Sequence, residues 1–310
     1  MITTVTPNPA LDLTYTVPGL VPRTTHRVHA PRHRAGGKGL NVSRVLHQLG
    51  CPTLAVAAVG GPTGTMFSEE LKSSGIPHAL VVVTVPTRCT VAVVSVADGD
   101  TTMFNEAGHD PGPDGHLRLR RLLERELAGT AVLVISGSVP SATPDGTLAG
   151  LIGLARDCGT PVVVDTSGSA LIEAASAGAA LLKPNVSEIV ETTGISDPLR
   201  AAHALRDAGA ERVVVSLGAD GMLAVDTHGT WAARPARAVQ GNPTGAGDAA
   251  VAALARALRD GMPVPDALRE AVALSASAVL APLAGEVNGG GLDELRDGVT
   301  VNRLERRKSA

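Results

Sequence analysis

At 310 residues, 44% of them apolar, the chain can bury a sizeable core, and its length fits one large α/β domain or two modest ones. A net charge of -3 and few aromatic residues argue against nucleic-acid binding, which needs clustered Lys and Arg or an aromatic stacking platform. The three cysteines lack metal or redox spacing, and neither a signal peptide nor an apolar run of about 18 residues occurs. We therefore expect a cytoplasmic protein with small-molecule partners that binds neither nucleic acid nor membrane.

Short apolar runs without polar alternation predict strands that are buried on both faces. They cover residues 2–5, 54–59, 132–135, 162–164, 181–182 and 213–215. Segments with helical spacing lie between them. This alternation predicts an α/β fold, a doubly wound and mostly parallel sheet with helices on both faces.

Two insertions interrupt this alternation. Residues 87–96 and 101–105 resemble an antiparallel hairpin, and residues 13–17 with 25–33 are a second candidate pair. The insertions at about 12–34 and 87–106 would form a small β-sheet lid. We expect this lid to belong to a single domain of residues 1–310.

The first glycine motif is Gly36-Gly37-Lys38-Gly39-Leu40-Asn41. Its glycines let backbone N–H groups approach a ligand, and Lys38 and Asn41 can donate to hydroxyl or phosphate oxygens. Glycine follows Lys38 where the Walker A motif requires Ser or Thr, so the motif is not a P-loop. A flexible loop that caps a helix remains the alternative.

A second candidate site is Lys183-Pro184-Asn185-Val186-Ser187-Glu188. The three-residue step puts Asn185 and Glu188 on one side of an opening helical turn. There they could hold the hydration shell of Mg²⁺ beside phosphates. The alternative is a capping box, in which the two side chains only cap the helix.

The third motif is Asn242-Pro243-Thr244-Gly245-Ala246-Gly247-Asp248, which leads into an Ala-rich helix. Glycines at a helix start leave N–H groups free for developing negative charge, and Asp248 could accept the proton of an attacking hydroxyl. Asp248 could instead be a favourable acid near a helix N-terminus. The segment also matches the loose G-x-G-x-x-A pattern of dinucleotide binding, but no convincing acidic-ended strand follows it.

In the insertions, Arg27 and Arg88 are candidates to clamp a phosphate on the substrate, since Arg binds phosphate bidentately. Asp12 could accept hydrogen bonds from sugar hydroxyls. Solvated arginines and a turn-capping aspartate are the alternatives.

With these residues in view, the chain resembles the ribokinase-like (PfkB) carbohydrate kinases, in particular their 1-phosphofructokinase and tagatose-6-phosphate kinase branch. The resemblance spans nearly the whole chain. Besides the glycine motif of residues 36–41 and the segment 242–248, it is carried by residues 6–12, 87–88, 104–108, 136–140, 165–168, 183–185 and 216–218.

The resemblance implies a role for each matching position. Asp248 would be the general base, with an anion hole at Gly245, Ala246 and Gly247. The substrate contacts would be Asp12, Gly37, Lys38, Gly39, Asn41 and Ser138, with Arg27 and Arg88 on the substrate phosphate. The ATP site would contain Lys183, Asn185, Ser216, Gly218, Gly221 and Thr244, and Glu188 would act on Mg²⁺ through water or phosphate.

These roles lead to one expected reaction. The γ-phosphoryl group of ATP would pass to a ketohexose phosphate, most simply fructose 1-phosphate giving fructose 1,6-bisphosphate, in a homodimer that uses Mg²⁺. Tagatose 6-phosphate and fructose 6-phosphate are alternative substrates. A nicotinamide oxidoreductase and a non-catalytic sugar-phosphate sensor are the alternatives from other classes.

Overall fold

The computed structural model describes residues 1–304, which contain two β-sheets and ten helices. The strands of the large sheet are β1 (Ile2–Thr6), β4 (Thr53–Gly60), β5 (His78–Val83), β8 (Val132–Ser136), β9 (Val162–Asp165), β10 (Leu181–Leu182), β11 (Val213–Ser216), β12 (Met222–Asp226), β13 (Gly229–Arg234) and β14 (Thr300–Leu304). Those of the small sheet are β2 (Ala10–Val17), β3 (Arg32–Gly36), β6 (Arg88–Ser95) and β7 (Asp100–Asn105). The helices are α1 (Lys38–Gln48), α2 (Gly61–Ser73), α3 (Gly112–Glu126), α4 (Thr147–Asp157), α5 (Ser169–Ser176), α6 (Val186–Thr193), α7 (Pro198–Asp207), α8 (Ala246–Arg259), α9 (Val264–Val279) and α10 (Leu292–Asp297).

The large sheet has the order β14-β13-β12-β11-β10-β9-β8-β1-β4-β5. Its strands from β5 to β11 are parallel, and β12, β13 and β14 extend it in antiparallel pairs. Every residue of β1, β8 and β9 is buried, as the apolar runs predict for strands covered on both faces.

Helices cover both faces of the large sheet. On one face α1, α8 and α9 pack through side chains such as Val42, Leu254 and Leu268. On the other face the helices α3 to α7 pack through side chains such as Leu123 and Ile152. The predicted fold class, a doubly wound and mostly parallel sheet between helices, is therefore confirmed. Within the described chain, no helix has both the length and the apolarity of a membrane span.

The small sheet has the order β3-β2-β6-β7, with β2 and β6 parallel and the outer strands antiparallel to them. The candidate strand at residues 25–33 was wrong for residues 25–31, because β3 begins only at Arg32. Residues 25–31 lie in a loop where Ala30 has a φ of 50° and Pro31 has no N–H to donate to a ladder. The two insertions nevertheless meet in one sheet beside the main domain.

Candidate active site

A buried carboxylate lies at the centre of the polar edge where the parallel strands end. Asp165, the last residue of β9, is 1% exposed and accepts a hydrogen bond from Ser136 Oγ at 2.9 Å. Lys183 Nζ lies 3.3 Å from its Oδ1 and Lys38 Nζ lies 3.4 Å from its Oδ2. Burial opposes ionisation, but Lys183, Lys38 and Ser136 outweigh it and keep the pKa of Asp165 below its ordinary value. Asp165 therefore holds both lysines at the edge of the sheet.

Asp248 lies in the first turn of α8, facing this edge. It is 5% exposed, and Asn41 Nδ2 donates to its Oδ2 at 2.9 Å. Burial, followed by the charge of Asp165, raises the pKa of Asp248 to about 7, against the opposing effects of Asn41, Lys38 and Lys183. A carboxylate with this pKa can take up a proton at neutral pH, as general-base catalysis requires.

The start of α8 is shaped by Gly245. This N-cap glycine has a φ of 88°, and a Cβ on it would lie 2.9 Å from Ala284 Cα, so a larger residue would be both strained and blocked. Ala246 N–H donates to the Pro243 carbonyl at 3.2 Å. Within residues 1–304, the N–H groups of Gly245, Gly247 and Asp248 have no backbone acceptor. These free groups and the helix dipole suit an anion.

Lys183 adds positive charge to the same place. Its Nζ lies 3.6 Å from the position that a Cβ on Gly247 would occupy, and the residue is 3% exposed. The structure thus brings Asp248, Lys183 and the helix start together. The N–H of Ala246, in contrast, already donates to the Pro243 carbonyl.

The first glycine motif brings Lys38 and Asn41 to the same site. A Cβ on Gly39 would lie 2.5 Å from the Val5 carbonyl oxygen, so the start of α1 can press directly against the end of β1. This contact carries Lys38 to Asp165 and Glu188, and Asn41 to Asp248. The side chain of Lys38 is 41% exposed, and the charge of Asp165, together with that of Glu188, raises its pKa although partial desolvation opposes this.

Asn185 and Glu188 form the capping box that was the alternative interpretation. Asn185 Oδ1 accepts the Glu188 N–H, and Glu188 Oε2 accepts the Asn185 N–H, both at 2.8 Å. Glu188 Oε1 is still directed to Lys38 Nζ at 3.4 Å. The carboxylate therefore caps α6 and also contacts the site around Lys38, Asp165 and Asp248, which we call the cleft.

The described residues contain no group of three or more His, Cys, Asp and Glu that could hold a metal ion. Glu188, with its side chain 19% exposed, offers one carboxylate. That donor set fits Mg²⁺, which keeps several waters and is commonly held by one or two carboxylates together with substrate phosphates.

The other predicted ATP contacts follow the neighbouring strand. Ser216 ends β11 beside Asn185, and its Oγ is buried without a hydrogen-bond partner among the described residues. An unsatisfied buried hydroxyl is expected where a ligand supplies the missing partner. Gly218 begins the short turn after β11 and Gly221 ends it, while Thr244 lies exposed before Gly245. Ser216, Gly218 and Gly221 thus lie at the carboxyl end of β11 and in the turn that follows it, and Thr244 lies in the loop before α8.

On the small sheet, Asp12 and Arg88 lie close together. Asp12 accepts a hydrogen bond from Thr90 Oγ1, and burial raises its pKa against the effects of Thr90, Arg88 and Arg34. Arg88 Nε donates to the Asn8 carbonyl at 3.3 Å and its Nη1 to the Glu106 carbonyl at 3.1 Å. The structure therefore places Asp12 and Arg88 on the same side of the cleft.

Ser138 is connected to the side of the cleft that holds Asp12 and Arg88, whereas Arg27 is not. Asn8 Nδ2 donates to Ser138 Oγ at 3.2 Å, which ties the exposed Ser138 to the segment before β2. Arg27 is exposed in the loop between β2 and β3 and makes no hydrogen bond or ion pair with any residue in the described range. The structure does not bring Arg27 to the other candidates within one copy of the chain.

Sequence reasoning assigned no role to Asp165 or to Arg34. Arg34 pairs with Asp12 across β2 and β3, donates to the Ala284 carbonyl at 3.1 Å and lies 3.1 Å from Glu286. An acid at the end of a wholly apolar strand was a usable signal for Asp165. No local signal identifies Arg34, because Ala284 and Glu286, which its guanidinium contacts, lie about 250 residues further along the chain.

The structure also tests the alternative that the glycines before Asp248 bind a dinucleotide. That motif requires a strand that turns directly into the helix. Residues 235–245 separate α8 from β13, and β13 runs antiparallel to its neighbours. The glycines before Asp248 therefore lack the strand–turn–helix context of a nicotinamide site.

Comparison with known proteins gives the same fold and chemistry. A family model described as pfkB family carbohydrate kinase matches residues 7–288. The chain is similar to ATP-dependent 6-phosphofructokinase isozyme 2 of Mycobacterium tuberculosis, at 35% identity over 91% of this chain and 84% of the relative. It is 36% identical to 1-phosphofructokinase of Xanthomonas campestris over 83% of this chain and 84% of that protein. A crystal structure of phosphofructokinase-2 from Escherichia coli in complex with potassium superposes with a TM-score of 0.88 at 30% identity, covering 96% of this chain and 98% of the other.

Proposed function

Because the chain belongs to the pfkB family of carbohydrate kinases, we propose that it is an ATP-dependent kinase of a fructose phosphate with Asp248 as its general base. The observation that carries this proposal is the position of Asp248. Its carboxylate is buried, has a pKa of about 7 and lies at a helix start with free N–H groups. Base and anion site therefore face one reacting centre.

In the proposed reaction, a primary hydroxyl of the sugar loses its proton to Asp248 Oδ while its oxygen forms a bond to the γ-phosphorus of ATP. The bond between that phosphorus and the β,γ-bridging oxygen breaks, and ADP leaves with the electron pair. The N–H groups at the start of α8 and Lys183 stabilise the charge on the transferring group. Positioning and electrostatics thus supply most of the catalysis.

Mg²⁺ bound with the nucleotide would neutralise phosphate charge, and Glu188 is the residue we assign to it. Lys38 and Asn185 hold Glu188 in place. Ser216 would supply a hydrogen bond to the nucleotide, which would satisfy its buried hydroxyl.

For the substrate, we favour fructose 1-phosphate, with Asp12 and Asn41 on sugar hydroxyls and Arg88 on the phosphate. The relative named 1-phosphofructokinase supports this choice. The relative named 6-phosphofructokinase is almost equally similar, so fructose 6-phosphate is the second candidate. Both sugars require the same base and the same anion site.

The proposed assembly is a homodimer that pairs through the small sheet. All six residues of the outer strand β7 are exposed, including Met103 at 48% and Phe104 at 58%. Exposed apolar surface of this kind is typical of an interface. Light scattering would test it, since Phe104→Asp should yield monomers if this face pairs. As a kinase that uses ATP, the enzyme is proposed to act in the cytoplasm.

A coupled assay of ADP release tests the function directly. The purified chain would be given ATP and Mg²⁺ with fructose 1-phosphate, fructose 6-phosphate, tagatose 6-phosphate or unphosphorylated fructose. The highest kcat/KM is expected with fructose 1-phosphate. A preference for fructose 6-phosphate would correct the substrate but keep the chemistry. Binding of these sugars without ADP release would instead identify a sensor.

A further inference from the structure

A buried ion pair lies behind the substrate side of the cleft and has no part in the chemistry above. Arg44 is on α1 and Glu70 is on α2. Arg44 Nη2 lies 2.7 Å from Glu70 Oε2, and the two side chains are 6% and 17% exposed. Desolvating two charges is expensive, so a pair like this is weak evidence for stability alone.

The same two atoms hold the backbone of one residue of the small sheet. Arg44 Nη2 donates to the Ala35 carbonyl at 2.9 Å, and Glu70 Oε2 accepts the Ala35 N–H at 2.9 Å. Ala35 is 1% exposed and pairs with Leu11 on β2. Both backbone groups of a single β3 residue are therefore fixed by side chains of the main domain.

Ala35 occupies the junction between the two sheets. The next residue must be glycine, because a Cβ on Gly36 would lie 1.9 Å from Asp12 Oδ2. The helix α1 begins two residues later at Lys38 and carries Asn41. The position of Ala35 thus sets where Asp12, on the small sheet, lies relative to Asn41, on the main domain.

We infer that Arg44 and Glu70 are positioning residues for the sugar phosphate, because they clamp Ala35 so that Asp12 and Asn41 face one substrate. The inference rests on the proposed function for the identity of that substrate. The clamp itself is a property of the described contacts. It joins the small sheet to the main domain at the point where the chain passes between them.

The charges around the pair agree with this role. Arg44 is one of three arginines, with Arg88 and Arg34, that counteract the rise in the pKa of Asp12. Burial and the nearby Arg34 lower the pKa of Arg44 itself, and Glu70 opposes them. Removing Glu70 would leave Arg44 buried beside another cation with only the weaker attraction of Asp12, which should displace the guanidinium from Ala35.

The experiment compares Glu70→Gln, Glu70→Ala and Arg44→Lys with wild type. The amide of Gln can still accept the Ala35 N–H but gives Arg44 no charge, whereas Ala removes both. We expect KM for the sugar phosphate to rise by about tenfold in Glu70→Ala and by less in Glu70→Gln, with KM for ATP changed less than about twofold. Arg44→Lys should resemble Glu70→Gln, since the shorter Lys side chain cannot bring its ammonium to the place where Arg44 Nη2 contacts both partners.

Glu270→Gln is the matched control. Glu270 pairs with Arg256 at 2.9 Å between α8 and α9 and also with Arg296 of α10, and the side chains of Glu270 and Arg256 are 16% and 26% exposed. If an ion pair only stabilises the fold, its loss lowers the folded fraction and the apparent kcat but leaves both KM values unchanged. That pattern is expected for Glu270→Gln, and the same pattern in the Glu70 and Arg44 variants would overturn the inference.

Hydrogen exchange at the Ala35 amide tests the clamp without turnover. Glu70→Ala should speed exchange in the peptide that contains Ala35 by about tenfold, while exchange in α4 stays at the wild-type rate. Unchanged exchange at Ala35 would overturn the clamp. A wild-type chain that releases no ADP while Ala35 exchange still responds would refute the proposed function and leave the clamp supported.

Discussion

Replacing Asp248 with Asn is expected to change activity and stability in opposite directions. The amide has nearly the same shape, and its oxygen can still accept from Asn41 Nδ2, which donates at 2.9 Å in the wild type. It cannot take a proton from the sugar. Loss of a general base typically lowers kcat by about 10²–10⁴-fold, and we expect a loss in this range.

The stability change follows from the pKa of Asp248. Raising it from 3.8 to about 7 corresponds to about 4 kcal/mol at about 1.4 kcal/mol per pH unit. The folded protein holds this proton more tightly than the unfolded chain does. The stability that the group contributes is therefore complete below pH 3.8 and is lost as the pH rises to about 7. The amide of Asp248→Asn does not ionise, so the variant does not lose this stability as the pH rises.

Urea unfolding of both proteins between pH 5 and pH 8 measures the difference. The advantage of Asp248→Asn over wild type should grow by about 2 kcal/mol from pH 5 to pH 7 and level off by about pH 8. Asp293→Asn, at a side chain that is 89% exposed, is the control and should show no such trend. The reasoning fails if the pH dependence of the two proteins is parallel, or if Asp248→Asn retains kcat within tenfold. For the wild type, kcat/KM should rise with pH through about 7 and then level off.

Three further substitutions test the rest of the site. Gly245→Ala should lower kcat by about 100-fold, because the new Cβ would clash with Ala284. Gly146→Ala is the control and should leave kcat unchanged, because Gly146 has a similar φ of 83° but open space around it. Arg88→Ala should raise KM for the sugar phosphate by about tenfold to a hundredfold with kcat retained. An unchanged KM would show that Arg88 does not bind the substrate phosphate. Lys183→Met should destabilise the fold by about 3 kcal/mol in urea unfolding, since buried Asp165 would lose the nearer of its two cations and keep only Lys38 and the Ser136 hydroxyl. Equal stability of the variant and the wild type would contradict the charge balance described above.

The central strands of the large sheet were predictable because their local sequence and their environment agree. A strand with helices on both faces needs apolar residues on both sides, and β8 and β9 have them. Even β10, only two residues long, was identified at Leu181 and Leu182. The helix starts were predictable for a similar reason, since glycine and capping residues act within a few positions of the sequence.

The antiparallel end of that sheet was not predicted. The last strand, β14, has the sequence TVNRL with mostly exposed residues, and it pairs with β13 about 70 residues earlier. The strand β3 has the sequence RHRAG, which carries no β signature, and owes its conformation to pairing with β2. Such strands are defined by their partners, so a local pattern cannot reveal them.

The residue types of the candidate site could be predicted from the sequence, but the distances between them could not. Asn41 and Asp248 are 207 positions apart, yet they share a hydrogen bond. The two lysines were identified in separate motifs, but their common partner Asp165 appeared only within the segment 165–168 that carries the family resemblance, with no role assigned. Charge sharing depends on burial and on distance, and neither can be read from a single segment.

Asp165 also sets the electroneutrality of the cleft. Its carboxylate and that of Glu188 balance Lys38 and Lys183, so the group carries no net charge while Asp248 keeps its proton. Phosphate-bearing substrates therefore approach a cleft that does not repel them. When Asp248 loses its proton, the cluster becomes an anion, and the next phosphate to arrive favours reprotonation. The protonation state of Asp248 is therefore linked to which substrates occupy the cleft.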